Sequence, residues 1–342
     1  MRTPAAEPSF LLRCFAWFTA GATLLLICSG GMVTSKGVGM SVPDWPTTFG
    51  YNMFYFPVSQ WVGGIFFEHT HRLIASLVGF LTIILALWLA FSPVPRWVKK
   101  LGWVSLGMVI LQGVLGGLRV TLMKDQIGIF HACVAQAFLA VLVVLALAVS
   151  PVWRRLGGTV VRQHGGAFAL VVTLLVYAQL GLGATMRHQH RDLSITDFPL
   201  AYGQVIPKTD PGTIARINVA RDRVALSDVT AGQIWLQMLH RAGALLIGTG
   251  IFAFWFFVRR NGIPPRPLGA LSTFWLYLLV TQIALGAFTI WSNKAADIAT
   301  AHVAVGALTF VNGVALTVLG YRLRKLSVDP ATATPAREAV LA

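Results

Sequence analysis

Eight stretches of this chain are apolar for long enough to cross a lipid bilayer, and that leaves it few ways to fold. They cover about residues 13–34, 72–91, 102–122, 127–149, 167–186, 234–258, 268–291 and 298–320. Roughly 20 mostly apolar residues make a helix that spans a hydrocarbon core about 30 Å thick. Lipid offers no partner to backbone N–H and C=O groups, so such spans are helices. The expected fold is an all-α integral membrane protein with eight transmembrane helices. Composition agrees, because 56% of the 342 residues are hydrophobic and 11% are charged, against about a quarter charged in soluble domains. A net charge of +15 would suit nucleic acid, but here the basic residues cluster in loops between spans, where they set orientation. The expected partner is the lipid bilayer, not nucleic acid.

With the amino terminus placed inside, the cytoplasmic segments hold 15 of the 27 Lys and Arg residues and three acids, a balance of +12. The outer segments hold 12 basic and nine acidic residues, a balance of +3. Both termini are therefore expected to be cytoplasmic. The first 12 residues contain Arg2, Glu7 and two prolines, and no apolar region apart from the first span. They do not read as a cleaved signal and are too poor in Arg for a mitochondrial presequence, so a bacterial plasma membrane is expected. Cys14, Cys28 and Cys133 lie in or beside spans, and none lies in an outer loop.

The chain repeats itself. Ser41-Val42-Pro43-Asp44-Trp45-Pro46-Thr47-Thr48-Phe49-Gly50 follows the first span, and Ser194-Ile195-Thr196-Asp197-Phe198-Pro199-Leu200-Ala201-Tyr202-Gly203 follows the fifth. Gln112-Gly113-Val114-Leu115-Gly116-Gly117 in span three is matched by Gln282-Ile283-Ala284-Leu285-Gly286-Ala287 in span seven; alone, these small residues indicate helix packing. Four spans return the chain to the same side, so the halves are expected to be parallel four-helix bundle repeats. The divisions are a cytoplasmic amino terminus at 1–12, a first half at 13–150, a cytoplasmic linker at 151–166, a second half at 167–322 and a cytoplasmic tail at 323–342. The outer loop of the second half, about 187–231, reads as a solvated extramembrane segment that includes His188 and His190. His69 and His164 carry no chemistry in this reading.

Four other histidines do. Glu68-His69-Thr70-His71-Arg72 enters span two, and Gln237-Met238-Leu239-His240-Arg241 enters span six. His131 follows His71 by 60 residues, and His302 follows His240 by 62. All four head spans that run from outside to inside, so they share a depth near the outer surface. Two imidazoles at one level on neighbouring helices suit the axial positions of a haem, and ionisable residues within spans are costly unless functional. Two haem sites are expected, His71/His131 and His240/His302. Glu68 stands one turn before His71, where the second half has Gln237, an isostere without charge. That asymmetry assigns proton handling, and hence chemistry, to the first site. Arg72 and Arg241, beside the first ligand of each pair, are placed to meet haem propionates.

Glu-x-x-His-Arg at span two, a His at the head of span four, His-Arg in span six and a His in span eight resemble the haem A synthase family, as does Gly37-Val38-Gly39-Met40-Ser41-Val42-Pro43-Asp44-Trp45-Pro46. The likeness covers about residues 15–320. It implies an eight-helix oxidoreductase that oxidises the C8 methyl of haem O to a formyl group, giving haem A for cytochrome oxidase. It also implies substrate haem O at His71 and His131 with Glu68 as catalytic acid, and a retained haem b at His240 and His302. Some members carry an outer-loop cysteine pair that this chain lacks. The alternative is a two-haem membrane cytochrome that only passes electrons, which would leave the Glu68/Gln237 difference unexplained. An electron acceptor is required in either case. Its identity, the oligomeric state (a homo-oligomer included) and direct contact with a haem O synthase are left open by the sequence.

Overall fold

The computed structural model describes residues 7–156, 165–188, 193–260 and 266–324. Parts of the expected amino terminus, linker and tail, together with His164 and His190, lie outside the described residues. The chain is all-helical where described. In order, the helices are α1 (Phe10–Ser35), α2 (Gly63–Phe91), α3 (Arg96–Thr121), α4 (Asp125–Ala148), α5 (Pro151–Leu156), α6 (Gly166–His188), α7 (Pro211–Asp222), α8 (Ala231–Arg260), α9 (Arg266–Trp291) and α10 (Ala296–Arg324). Eight are long and apolar enough to cross a membrane, and they coincide with the eight spans read from the sequence.

Each expected span falls on one helix to within a residue, but α2 begins nine residues before its apolar run. The extra turns are Gly63 to His71, so the functional segment is helical throughout. Side chains such as Phe80, Leu245 and Val280 stay exposed on the helix surfaces, as lipid-facing positions do.

The contacts make two closed rings. Helix α1 packs on α2, α2 on α3, α3 on α4, and α4 back on α1. Likewise α6 packs on α8, α8 on α9, α9 on α10, and α10 on α6. The rings meet where α1 and α4 abut α6 and α10. Helices α4 and α10 therefore have neighbours on both sides, and they bury Leu142, Leu145, Leu316 and Leu319 almost fully. Close approach needs small residues: at Gly313, a Cβ would stand 2.7 Å from Trp275, whose Nε1 donates to the Thr309 carbonyl at 2.9 Å.

The segment read as a solvated loop at 187–231 is corrected by the structure. Helix α6 continues to His188, which is buried and packs against Gly128 of α4. Farther on, α7 is started by Pro211 and capped by Asp210, whose carboxylate accepts from Thr213 N at 3.0 Å. Ile195, Ala201, Val229 and Ile234 form a small core of their own under it. Asp, Arg and Pro content signalled exposure, and the few apolar residues between them were enough to fold the segment.

Candidate haem-binding site

The four histidines stand seven to ten residues into their helices, on α2, α4, α8 and α10, two to three turns from the same end of the bundle. His71 and His131 lie within electrostatic range of each other, as do His240 and His302. All four Nδ1 atoms are buried without a hydrogen-bond partner. A buried polar atom left unpaired is costly in a folded protein, and a bound group that takes the imidazoles accounts for four at once.

Each imidazole also rests against a glycine of the neighbouring helix. A Cβ on Gly30 of α1 would lie 2.9 Å from His71 Cε1; on Gly286 of α9, 3.2 Å from His302 Cε1. At Gly116 of α3 and Gly183 of α6 it would lie 3.4 Å from His131 and His240. Gly116 and Gly286 belong to the paired stretches read as packing motifs, and the structure shows what they pack against. At Gly30 the ring leaves no room for a methyl, at Gly286 it would have to give by a few tenths of an ångström, and at Gly116 and Gly183 the contact is ordinary. Gly30→Ala is expected to displace His71 and lower haem retention at that pair about tenfold. Gly21→Ala on the same helix, with nothing within 4 Å of the new methyl, should leave haem content unchanged; absorbance of the purified proteins checks both.

The loops over the two pairs are built alike. The Asp44 carboxylate accepts from Phe49 N at 2.8 Å and Gly50 N at 2.9 Å, and from the Thr47 hydroxyl. Burial alone would raise its pKa, but those donors together outweigh it and hold the carboxyl below the usual range. Asp197 does the same for Tyr202 N and Gly203 N, at 2.7 and 2.8 Å. Gly50 and Gly203 have φ of +79° and +75°, a conformation that excludes most side chains.

Arg72 and Arg241 fasten these turns to the helices. Arg72 donates to the carbonyls of Val42, Asp44 and Thr47 at 2.7–3.0 Å, and to Glu68 Oε1 at 2.8 Å. Arg241 donates to the carbonyls of Asp197 and Leu200 at 2.6 and 2.8 Å and more weakly to that of Pro199. Both guanidiniums thus hold loop backbone, a use the sequence did not suggest.

Glu68 is buried, and among the described residues it is the only buried acid. Its Oε2 accepts from Val42 N at 3.0 Å while Oε1 meets Arg72. Gln237 makes the matching contact, accepting from Ile195 N at 2.8 Å and donating to the Ile195 carbonyl at 3.3 Å. An amide can satisfy both backbone groups of its partner, whereas a carboxylate cannot donate. His69 is fully buried between Phe56 and Trp61, with Nδ1 3.2 Å from Thr48 Oγ1, a structural position as read from the sequence.

Two cations were missed. Arg119, in the last turn of α3, lies within electrostatic range of both His71 and His131, and its Nε is buried without a partner. Arg187, near the end of α6, lies in range of His302 and crosses to α1, donating to the Gly31 carbonyl and Ser35 hydroxyl. Ser35 in turn pairs with Thr300, two residues before His302. An Arg in the last turn of an apolar span was the available signal.

The profile of the COX15-CtaA family, described as cytochrome oxidase assembly protein, matches residues 13–314. The chain is also similar to proteins named haem A synthase. One from Shouchella clausii is 27% identical, over 81% of this chain and 86% of the relative. One from Halalkalibacterium halodurans is 25% identical, over 87% and 93%, and one from Geobacillus kaustophilus is 24% identical, over 94% and 95%.

Proposed function

The chain belongs to the COX15-CtaA family of cytochrome oxidase assembly proteins, and from that premise we propose that it is a haem A synthase whose first half does the chemistry and whose second half retains a haem. It is a multi-pass membrane oxidoreductase that converts haem O to haem A. The observation that carries the division of labour is Glu68, a buried carboxylate one turn from His71, against Gln237 at the same place before His240. The recurring Asp turns and Arg fastenings support reading 13–150 and 167–322 as parallel repeats. The electron-carrier alternative is not favoured, since the similar proteins are named as synthases.

The buried, unpaired imidazole nitrogens and the glycine seats fit a haem held between two histidines in each half. His71 and His131 hold haem O as substrate; His240 and His302 hold haem b, which supplies a one-electron redox centre when bound. Turning a methyl into a formyl group with one water releases four electrons and four protons. Glu68 takes up a proton from that water at a carboxylate oxygen, beside the Arg72 guanidinium that it meets at 2.8 Å. Arg72 and Arg241 bind the cofactors indirectly, by holding the loops that close over them, and Arg119, with its unpaired Nε, meets a propionate directly. The electrons leave through an acceptor still to be identified.

Expression in a host supplied with haem O, followed by extraction and chromatography of the haems, tests the reading. Haem A is expected beside haem b. Two haems of fixed type with haem O unconverted would favour the electron carrier.

The histidine end faces the outside of a bacterial plasma membrane, and both termini face the cytoplasm, on the strength of the +12 and +3 charge balance. A cysteine at Lys208→Cys is expected to react with an impermeant thiol reagent in intact cells. Labelling only after the membrane is opened would invert the topology.

A further inference from the structure

Three of the four histidines are braced by a glutamine one turn before the glycine that seats them. Gln112 Nε2 donates to the His131 carbonyl at 2.9 Å, and Gly116 faces the ring. Gln179 Nε2 donates to the His240 carbonyl at 2.6 Å, and Gly183 faces the ring. Gln282 Nε2 stands 3.4 Å from the His302 ring itself, and Gly286 faces it. The sequence pattern is Gln-x-x-x-Gly each time. The fourth member, on α1, has Leu26 in place of an amide, four residues before Gly30. Among the described residues no side chain is seen donating to His71. It is seated by contact alone, and its glycine contact is the closest of the four.

We propose that His71 is the exchangeable ligand and that the three glutamines are positioning residues which make the other ligands permanent. At His131 and His240 the carbonyl, which already accepts within its own helix, takes the amide on its second lone pair, and this ties ligand helix to facing helix at the ligand itself; at His302 the amide meets the ring. Partners of this kind are worth about 10–100-fold in affinity for the bound metal group. The inference rests on the reading that the first half turns over its haem while the second retains one. A site that must release its product after each turnover is served by one loosely held ligand. Movement of α2 against α1 frees His71 while Gln112 keeps His131 in place. The second half, which keeps its haem, has both braces.

The brace is transferable. Gln and Leu have nearly the same size, and His71, like His131, has alanine four residues on, Ala75 and Ala135. Transfer of haem from the purified holoprotein to apomyoglobin, followed by absorbance and by chromatography of the haem left behind, gives a rate for each site. Leu26→Gln is expected to slow haem loss from the first site about tenfold without changing loss from the second. Gln179→Leu is expected to speed loss of haem b about tenfold while the first site is unchanged. Should Leu26→Gln fold poorly, Gln112→Leu tests the same site in the other direction, with faster loss expected. Rates equal to the unaltered protein's in these variants would overturn the proposal. Failure of the synthase reading is separately visible, as absence of haem A from the unaltered protein, and leaves the brace at His240 measurable with haem b alone.

Discussion

Glu68→Gln is expected to leave the protein folded, with haem b in place at His240 and His302, and to lower haem A formation on the order of 100-fold, so that haem O or a partly oxidised haem accumulates. The structure contains its own control for this substitution. Gln237 occupies the matching position, and it holds Ile195 through both backbone groups, as a glutamine at 68 would hold Val42. The loop latch should therefore survive. Arg72 loses its carboxylate partner, yet Arg241 shows that a guanidinium in this place is held by loop carbonyls without a carboxylate bond, and Arg72 already has three of them. What the amide cannot do is take a proton. General acid–base groups contribute about 10²–10⁴-fold to a rate, and this variant isolates that contribution from packing. Haem chromatography of cells fed haem O reads it. A normal yield of haem A would make Glu68 a latch and nothing more.

His240→Ala and His302→Ala are each expected to remove the haem b signal from the purified protein while the first site still binds its substrate. Each replacement takes away an axial ligand at a site enclosed by α6, α8, α9 and α10, and leaves a cavity beside Gly183 or Gly286 where the ring stood. Loss of a group that only orients a ligand costs about 10–100-fold in affinity, and loss of the ligand itself costs more. Absorbance and haem content of both variants are the measurements. Unchanged spectra in both would place the retained haem elsewhere and reopen the assignment of the two halves.

The site was partly legible. His71, His131, His240 and His302 stood out because histidine within a span is expensive and these four form two pairs with nearly equal separations, 60 and 62 residues. Their one-sided depth followed from alternating span direction. Glu68 and Gln237 were comparable only because the repeat aligned them. Arg72 and Arg241 were located from their adjacency to a ligand, and the fold adds a use that adjacency did not suggest: both guanidiniums hold loop carbonyls. His188 was read as solvated because polar residues follow it, and the packing of α6 against α4 buried it. Arg119 and Arg187 were visible as charges near span ends, but nothing in their neighbours said which histidine each would approach.

The sequence by itself determined the eight helices, their order and the end at which the histidines gather. A bilayer allows an apolar run of about 20 residues one conformation, so length alone decides it. Only the tertiary structure decided which helix faces which: that Gly30 seats His71, that Arg187 reaches α1, that three glutamines brace their ligands and Leu26 does not. In water the apolar stripe of a helix marks its inward face. In lipid both faces are apolar, so hydrophobic periodicity carries little information about neighbours. The pairing is settled by close packing of small residues and a few interhelical hydrogen bonds, which depend on shapes that meet only after the helices have assembled.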